Sequence, residues 1–266
     1  MSNIYLQLTR EFNSGRLRAI LGGGQAVVLH RLAIMSKDAD WILREDKETM
    51  SYVLSVLEKY DAHYRFGAPL DIRWLQYGWS AHLEFTFGRM RIRTDFVTKP
   101  PRIDAQNLKR IWAEQEGRDI PFLDANDLAK SKQTNREKDY VVIGELARKM
   151  SNVDDEILYS RSARDLIQIA SQHPLRVRAL TQRRPILLEV SKGLEALEAA
   201  LDLERRRLIH SNEERLEKYI SAAEPWAKIW HSVASQTEGL KLSESHNIVV
   251  NIAEGVLPYE VTEGWT

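Results

Sequence analysis

Leu21-Gly22-Gly23-Gly24-Gln25-Ala26-Val27-Val28-Leu29-His30-Arg31, followed after a short break by Ser36-Lys37-Asp38-Ala39-Asp40-Trp41-Ile42-Leu43, is the stretch on which the reading of this chain turns. Ala19-Ile20-Leu21 is a short apolar strand candidate, the three glycines allow a tight turn, and the residues after them have helical spacing. A helix that opens on such a turn points free backbone N–H groups, and the positive end of its dipole, at any anion nearby. In the following strand Asp38, Asp40 and Ile42 share one face. Two carboxylates separated by ~6.6 Å of strand rise can converge on a hard cation. Alone, the glycines read as a plain strand-to-helix turn and the D-x-D as a solvated strand end. In this succession they describe a place for a triphosphate and its metal.

Working outward, His82 to Phe87 and Met90 to Val97 both alternate, and Gly88-Arg89 supplies a two-residue turn, so a hairpin is expected. Its second strand carries Arg91, Arg93 and Asp95 on one face, which makes Asp95 the candidate third carboxylate. Leu6 to Arg18 reads as a leading helix cut short near Gly15, and Thr49 to Tyr60 as an amphipathic helix. Beyond Asp124 the pattern is helical: Leu128 to Arg148, Asp154 to Ala170, and a long segment from Ile186 to about Ala223 with Leu187, Val190, Leu194, Leu197, Leu201 and Leu208 near one stripe. Residues 243–266 are ambiguous, with a short strand possible at Asn247 to Ile252. This is an α+β pattern: a small mixed sheet flanked by helices, then a helical C-terminal part, with the expected boundary between 1–148 and 149–266.

The chain has 266 residues, which gives a prior of roughly 1.8 domains. Lys+Arg and Asp+Glu both total 38, so no global charge draws it to nucleic acid or an anionic membrane. The absence of cysteine excludes disulfides, a thiolate nucleophile and iron–sulfur chemistry. No secretory signal or membrane-spanning run is evident, and a cytoplasmic protein is expected. P-loop, dinucleotide, H-E-x-x-H and G-x-S-x-G motifs are all missing.

The block Gly22-Gly23-Gly24-Gln25-Ala26, His30, then Ser36-Lys37-Asp38-Ala39-Asp40 resembles the G-G-x-A…S/T-x-D-x-D core of the minimal nucleotidyltransferases of the DNA polymerase β superfamily, nearest their AbiEii-like, toxin-type branch. Asp127-Leu128-Ala129-Lys130-Ser131-Lys132-Gln133-Thr134-Asn135-Arg136-Glu137-Lys138-Asp139 is similar to that branch's D-L-x-x-S-K-x-x-x-R-x-K-D helix, so the resemblance covers about residues 15 to 148. It implies that Asp38, Asp40 and Asp95 bind Mg²⁺ (or Mn²⁺) and act catalytically. It also implies that Gly22, Gly23, Gly24, Ser36, Lys132 and Arg136 bind the nucleotide. The reaction would move an NMP from an NTP to a hydroxyl on RNA, protein or a small molecule. Ile34 stands where the branch often carries a basic residue, and Arg31 where His-Gly is usual. The alternative is therefore a non-catalytic binding or regulatory protein with this fold, meeting a cognate antitoxin or operon partner of a toxin–antitoxin or phage-defence system. A nucleic-acid-binding module without chemistry is a third possibility.

Other residues carry two readings each. Lys132, Arg136 and Lys138 form either a basic helix face or a solvated face paired with Glu137 and Asp139. Arg205 to Arg207 reads as a solvated turn or an RNA contact. Trp74 and Trp79 read as packing or base stacking, Trp226 and Trp230 as helix packing, and His30 as a packed helix residue.

Overall fold

The computed structural model describes residues 3–261. It is an α+β protein with a five-stranded mixed sheet flanked by helices and a helical C-terminal region. The chain order is α1 (Ile4–Phe12), β1 (Ala19–Leu21), α2 (Gly23–Leu29), β2 (Asp38–Leu43), α3 (Lys47–Glu58), β3 (His63–Tyr64), α4 (Ile72–Leu75), β4 (Ala81–Phe87), β5 (Met90–Val97) and α5 (Ala105–Gln115). There follow α6 (Ala125–Ser131), α7 (Glu137–Ala147), α8 (Val153–Tyr159), α9 (Ala163–Gln172), α10 (Pro174–Leu180), a 3₁₀ segment (Pro185–Lys192), α11 (Leu194–Ala222), α12 (Glu224–Thr237) and α13 (Leu242–Val256).

Two compact units share these elements. One comprises residues 3–28, 34–123 and 216–261, the other residues 29–33 and 124–215. The contacts thus divide the chain at 123/124 and again at 215/216, not at the expected 148/149, and the last two helices belong with the sheet.

In the first unit the strands run in the order β1-β2-β5-β4-β3; β2 and β5 are parallel and the other pairs antiparallel. Alternation splits the sheet into a dry and a polar face. On the dry face Trp41 stacks on Phe96 at 5.5 Å, and Phe12 of α1 meets both rings edge-on at 5.3 and 5.9 Å. The Trp41 indole N–H donates to Thr9 Oγ1 at 3.0 Å, so this large ring is buried without an orphaned donor. Asn3 caps α1 and Asp46 caps α3, each through a side-chain oxygen accepting a backbone N–H. Trp74 and Trp79 are buried, donating to the carbonyls of Leu257 and Tyr259, which settles them as packing residues. Trp226 is buried as well, donates to the Gly67 carbonyl, and packs edge-on against Trp230.

The second unit is helical, with Ile157, Leu166, Leu187, Leu197 and Leu201 in its core. Arg184, only 4% exposed, donates to the carbonyls of Ile157 and Ser160 and pairs with Glu204, which also pairs with Arg161. Arg205 and Arg206 pair with Asp202 on the same helix, the solvated-turn reading of that arginine run.

Several helical runs are interrupted where the sequence suggests continuity. The run from 128 to 148 breaks after Ser131 and restarts at Glu137, and the run from 154 to 170 breaks at Ser160, where Ser162 starts a new cap. The run from 186 is 3₁₀ to Lys192 and α-helical only after Gly193, whose φ of 97° no helix accommodates. Asn247 to Ile252 lies within α13 and is not a strand; residues 262–266 fall outside the described residues. No helix among the described residues is long and apolar enough to cross a membrane.

Candidate active site

The polar face of the sheet gathers the predicted carboxylates by register. Asp40 pairs with Asp95 across the parallel β2–β5 contact, Asp38 pairs with Arg93, and the hairpin sets His82 opposite Asp95 and Glu84 opposite Arg93. All three aspartates are partly buried. The Asp38 carboxylate accepts no hydrogen bond among the described residues. Asp95 Oδ1 accepts from His82 Nδ1 at 2.7 Å and from Arg65 Nη1 at 3.2 Å, while no donor reaches its Oδ2 among those residues. A carboxylate only accepts, so His82 Nδ1 carries a proton; Nε2 lies 2.9 Å from Ser80 Oγ.

Close approach is what the structure asks of the glycines. Gly23 has φ +51°, and a Cβ built there would fall 1.6 Å from Asp40 Oδ2. A Cβ on Gly24 would fall 2.1 Å from Ser36 Oγ. The Gly22 N–H donates to the Asp40 carbonyl at 2.8 Å, and Ser36 Oγ donates to the Asp38 carbonyl at 3.0 Å. The side chains of Asp40 and Ser36 thus occupy the space above Gly23 and Gly24.

At the start of β2 a cleft of about 550 Å³ opens between α1, the 34–37 loop and β5. Lys37, Arg91 and Arg93 are its charged lining, with no carboxylate, beside Tyr5, Gln25 and Ser36 and the exposed Ile34 and Met35. Arg91 is held by Glu84 at 2.7 Å. Burial pushes the Glu84 carboxyl up, but the Arg91 hydrogen bond and nearby cations outweigh it, so the group sits below the usual carboxylate range. Tyr5 donates to the Lys37 carbonyl at 2.6 Å, and burial followed by the charge of Asp38 raises its phenol.

Three oxygen-bearing carboxylates suit Mg²⁺ or Mn²⁺, and among the described residues no donor satisfies the Asp38 carboxylate or Oδ2 of Asp95. The donor chemistry fits a hard dication. The carboxylates stand side by side on two strands rather than closed around a point: no group of three or more His, Asp or Glu is gathered as a ligand set among the described residues.

Lys132 and Arg136 do not share the helix face expected of them. Lys132 ends α6 and Arg136 precedes α7, so their spacing is not a helical i, i+4. Lys132 is 7% exposed and pairs with buried Asp139 at 3.2 Å; Arg136 Nε donates to the same carboxylate at 2.9 Å. Burial raises Asp139, but Lys132, Thr134 and Arg136 together bring it below the ordinary range. This cluster lies within the second unit and is the paired, structural reading of those charges.

His82, Arg65 and Ser80 were not among the residues singled out by sequence. The signal existed: a two-residue turn at 88–89 pairs Phe87 with Met90, and counting back along the hairpin places His82 opposite Asp95.

No protein-family profile and no curated protein matches the chain. A solved structure described as "Crystal structure of putative nucleotidyltransferase from H. pylori" is similar over 79% of this chain and 95% of its own, at 12% identity and a TM-score of 0.39.

Proposed function

We propose that the chain transfers a nucleoside monophosphate from an NTP to a hydroxyl acceptor. The observation that carries this reading is the parallel β2–β5 register, which sets Asp40 beside Asp95 with Asp38 two residues before it on the same face. Asp38, Asp40 and Asp95 would hold the Mg²⁺, which when bound neutralises charge on the phosphates and the leaving pyrophosphate. Lys37, Arg91 and Arg93 would attract the triphosphate to the cleft beside Asp38, a volume within the range of small-molecule sites. Asp95 would serve as base or organiser for the acceptor hydroxyl, whose oxygen forms the new bond to the α-phosphorus as the bond to pyrophosphate breaks and whose proton passes to that carboxylate or to solvent.

The second reading, a regulatory protein that keeps the fold without the chemistry and serves a toxin–antitoxin or phage-defence system, is favoured by the side chains packed over Gly23 and Gly24. Incubation with each α-labelled NTP, Mg²⁺ and total RNA separates the two. Label transfer that is lost in Asp38→Ala and Asp40→Ala supports the enzyme. No transfer together with no Mg·NTP binding supports the regulator.

A further inference from the structure

We infer that His82 is a positioning residue for Asp95, holding one carboxylate oxygen so that the other is left for the cation; the inference rests on the metal-dependent reading above. Both donors to Asp95, His82 Nδ1 and Arg65 Nη1, take the same oxygen, Oδ1. The imidazole is itself fixed on three sides. Ser80 Oγ meets its Nε2 at 2.9 Å, Asp95 meets its Nδ1, and the bare Cα of Gly67 lies against its edge, where an added Cβ would come within 2.5 Å of Cδ2.

The segment carrying Arg65 and Gly67 is bound on either side of Gly67 to the start of β4 and the residue before it: the Arg65 N–H donates to the His82 carbonyl at 2.9 Å and the Ala68 N–H to the Ser80 carbonyl at 3.0 Å. The Gly67 carbonyl in turn accepts from the buried Trp226 indole at 2.9 Å. A line of contacts thus runs from the core of the first unit through Gly67 and His82 to Oδ1 of Asp95. Fixing one oxygen of a ligating carboxylate selects which oxygen and which rotamer face the metal, and removing such a partner typically costs about 10- to 100-fold in metal affinity or activity.

The test uses the full chain and three variants, with Mn²⁺ binding followed by the EPR signal of free Mn²⁺ and thermal unfolding recorded alongside. His82→Ala removes the donor. His82→Asn restores an N–H near the Nδ1 position. Gly67→Ala pushes the ring without deleting it. The expectation is a loss of about 10- to 100-fold in Mn²⁺ affinity for His82→Ala and Gly67→Ala, and a value within about threefold of wild type for His82→Asn. In the transfer assay the loss should fall on kcat, with KM for the NTP unchanged. Should His82→Ala fail to fold, Gly67→Ala and His82→Asn carry the comparison. Wild-type Mn²⁺ affinity in the folded Ala variants overturns the inference and leaves the nucleotidyltransferase reading standing, as does a His82→Asn loss equal to that of His82→Ala. A wild-type protein that binds no Mn²⁺ and transfers no nucleotide overturns both.

Discussion

Replacing Gly23 by alanine tests the tightest contact in the candidate site. Two costs add. The residue sits at φ +51°, where an L side chain costs about 1–2 kcal/mol. The new methyl would also fall 1.6 Å from Asp40 Oδ2 and 2.4 Å from its Cγ, so the carboxylate must leave its place, at about 1–3 kcal/mol for a displaced, partly buried polar group. Lower entropy of the unfolded chain returns about 0.4–1 kcal/mol. The net expectation is a destabilisation of about 1–4.5 kcal/mol, or a Tm lower by about 2–18 °C for a chain of this size. Gly22→Ala is the control: its φ is not in the left-handed region, and its nearest neighbours would be at ordinary distances of 3.6 and 3.7 Å. Urea unfolding with linear extrapolation should give a lower midpoint for Gly23→Ala at an unchanged slope, and near wild-type stability for Gly22→Ala. Stabilities of the two variants within about 0.5 kcal/mol of each other would refute the reasoning, since one lacks both costs.

Two further predictions concern stability. Among the described residues, Arg184→Ala leaves Glu204 with only Arg161 and removes the Arg184 donor from the Ile157 and Ser160 carbonyls; the expected loss is about 3–5 kcal/mol by urea unfolding, and a loss below about 1 kcal/mol would contradict the buried network. His246 Nδ1 lies 2.8 Å from the Tyr64 hydroxyl, and burial lowers its pKa below the usual 6.5 despite the opposing charge of Asp71. The unfolded chain therefore binds a proton that the folded one resists, so the contribution is whole above pH ~6.5 and falls away as pH drops through the lowered value. The urea midpoint should be higher at pH 7.5 than at pH 5.5 and should lose that dependence in His246→Phe; a wild-type midpoint equal at both pH values contradicts the assignment.

What could be read from sequence was local. Strand, glycine turn and helix at 19–29, the strand at 38–43 and the hairpin at 81–97 each declare themselves within a dozen residues through alternation and turn chemistry, and each is found in place. The parts that escaped depend on distant residues. Asn247 to Ile252 has strand-like β-branched residues, yet it is helical because Val249, Val250 and Ala253 fall on one buried stripe and α13 packs on α3. Lys132 and Arg136 looked like one helix face because spacing says nothing of where a helix stops; here Thr134 and Arg136 turn their donors to Asp139 and break the run. The glycine cradle was legible as a turn, but its tight fit against Asp40 and Ser36 needed coordinates. Asp95 and, by the hairpin count, its neighbour His82 could be placed from sequence; the hydrogen bonds that His82 and Arg65 make to one oxygen of Asp95 could not.

The alternation of Trp41 with Asp40, and of Phe96 with Asp95, makes the greasy side of the sheet a ruler for the acidic side. Sliding β5 by one residue against β2 would swing Phe96 into water and drive Asp95 among aromatic rings, so the stacking of Trp41 on Phe96 forbids the slip. Trp41 and Phe96 therefore hold Asp40 and Asp95 in step: a trimmed ring beneath the sheet loosens the spacing of the acids above it.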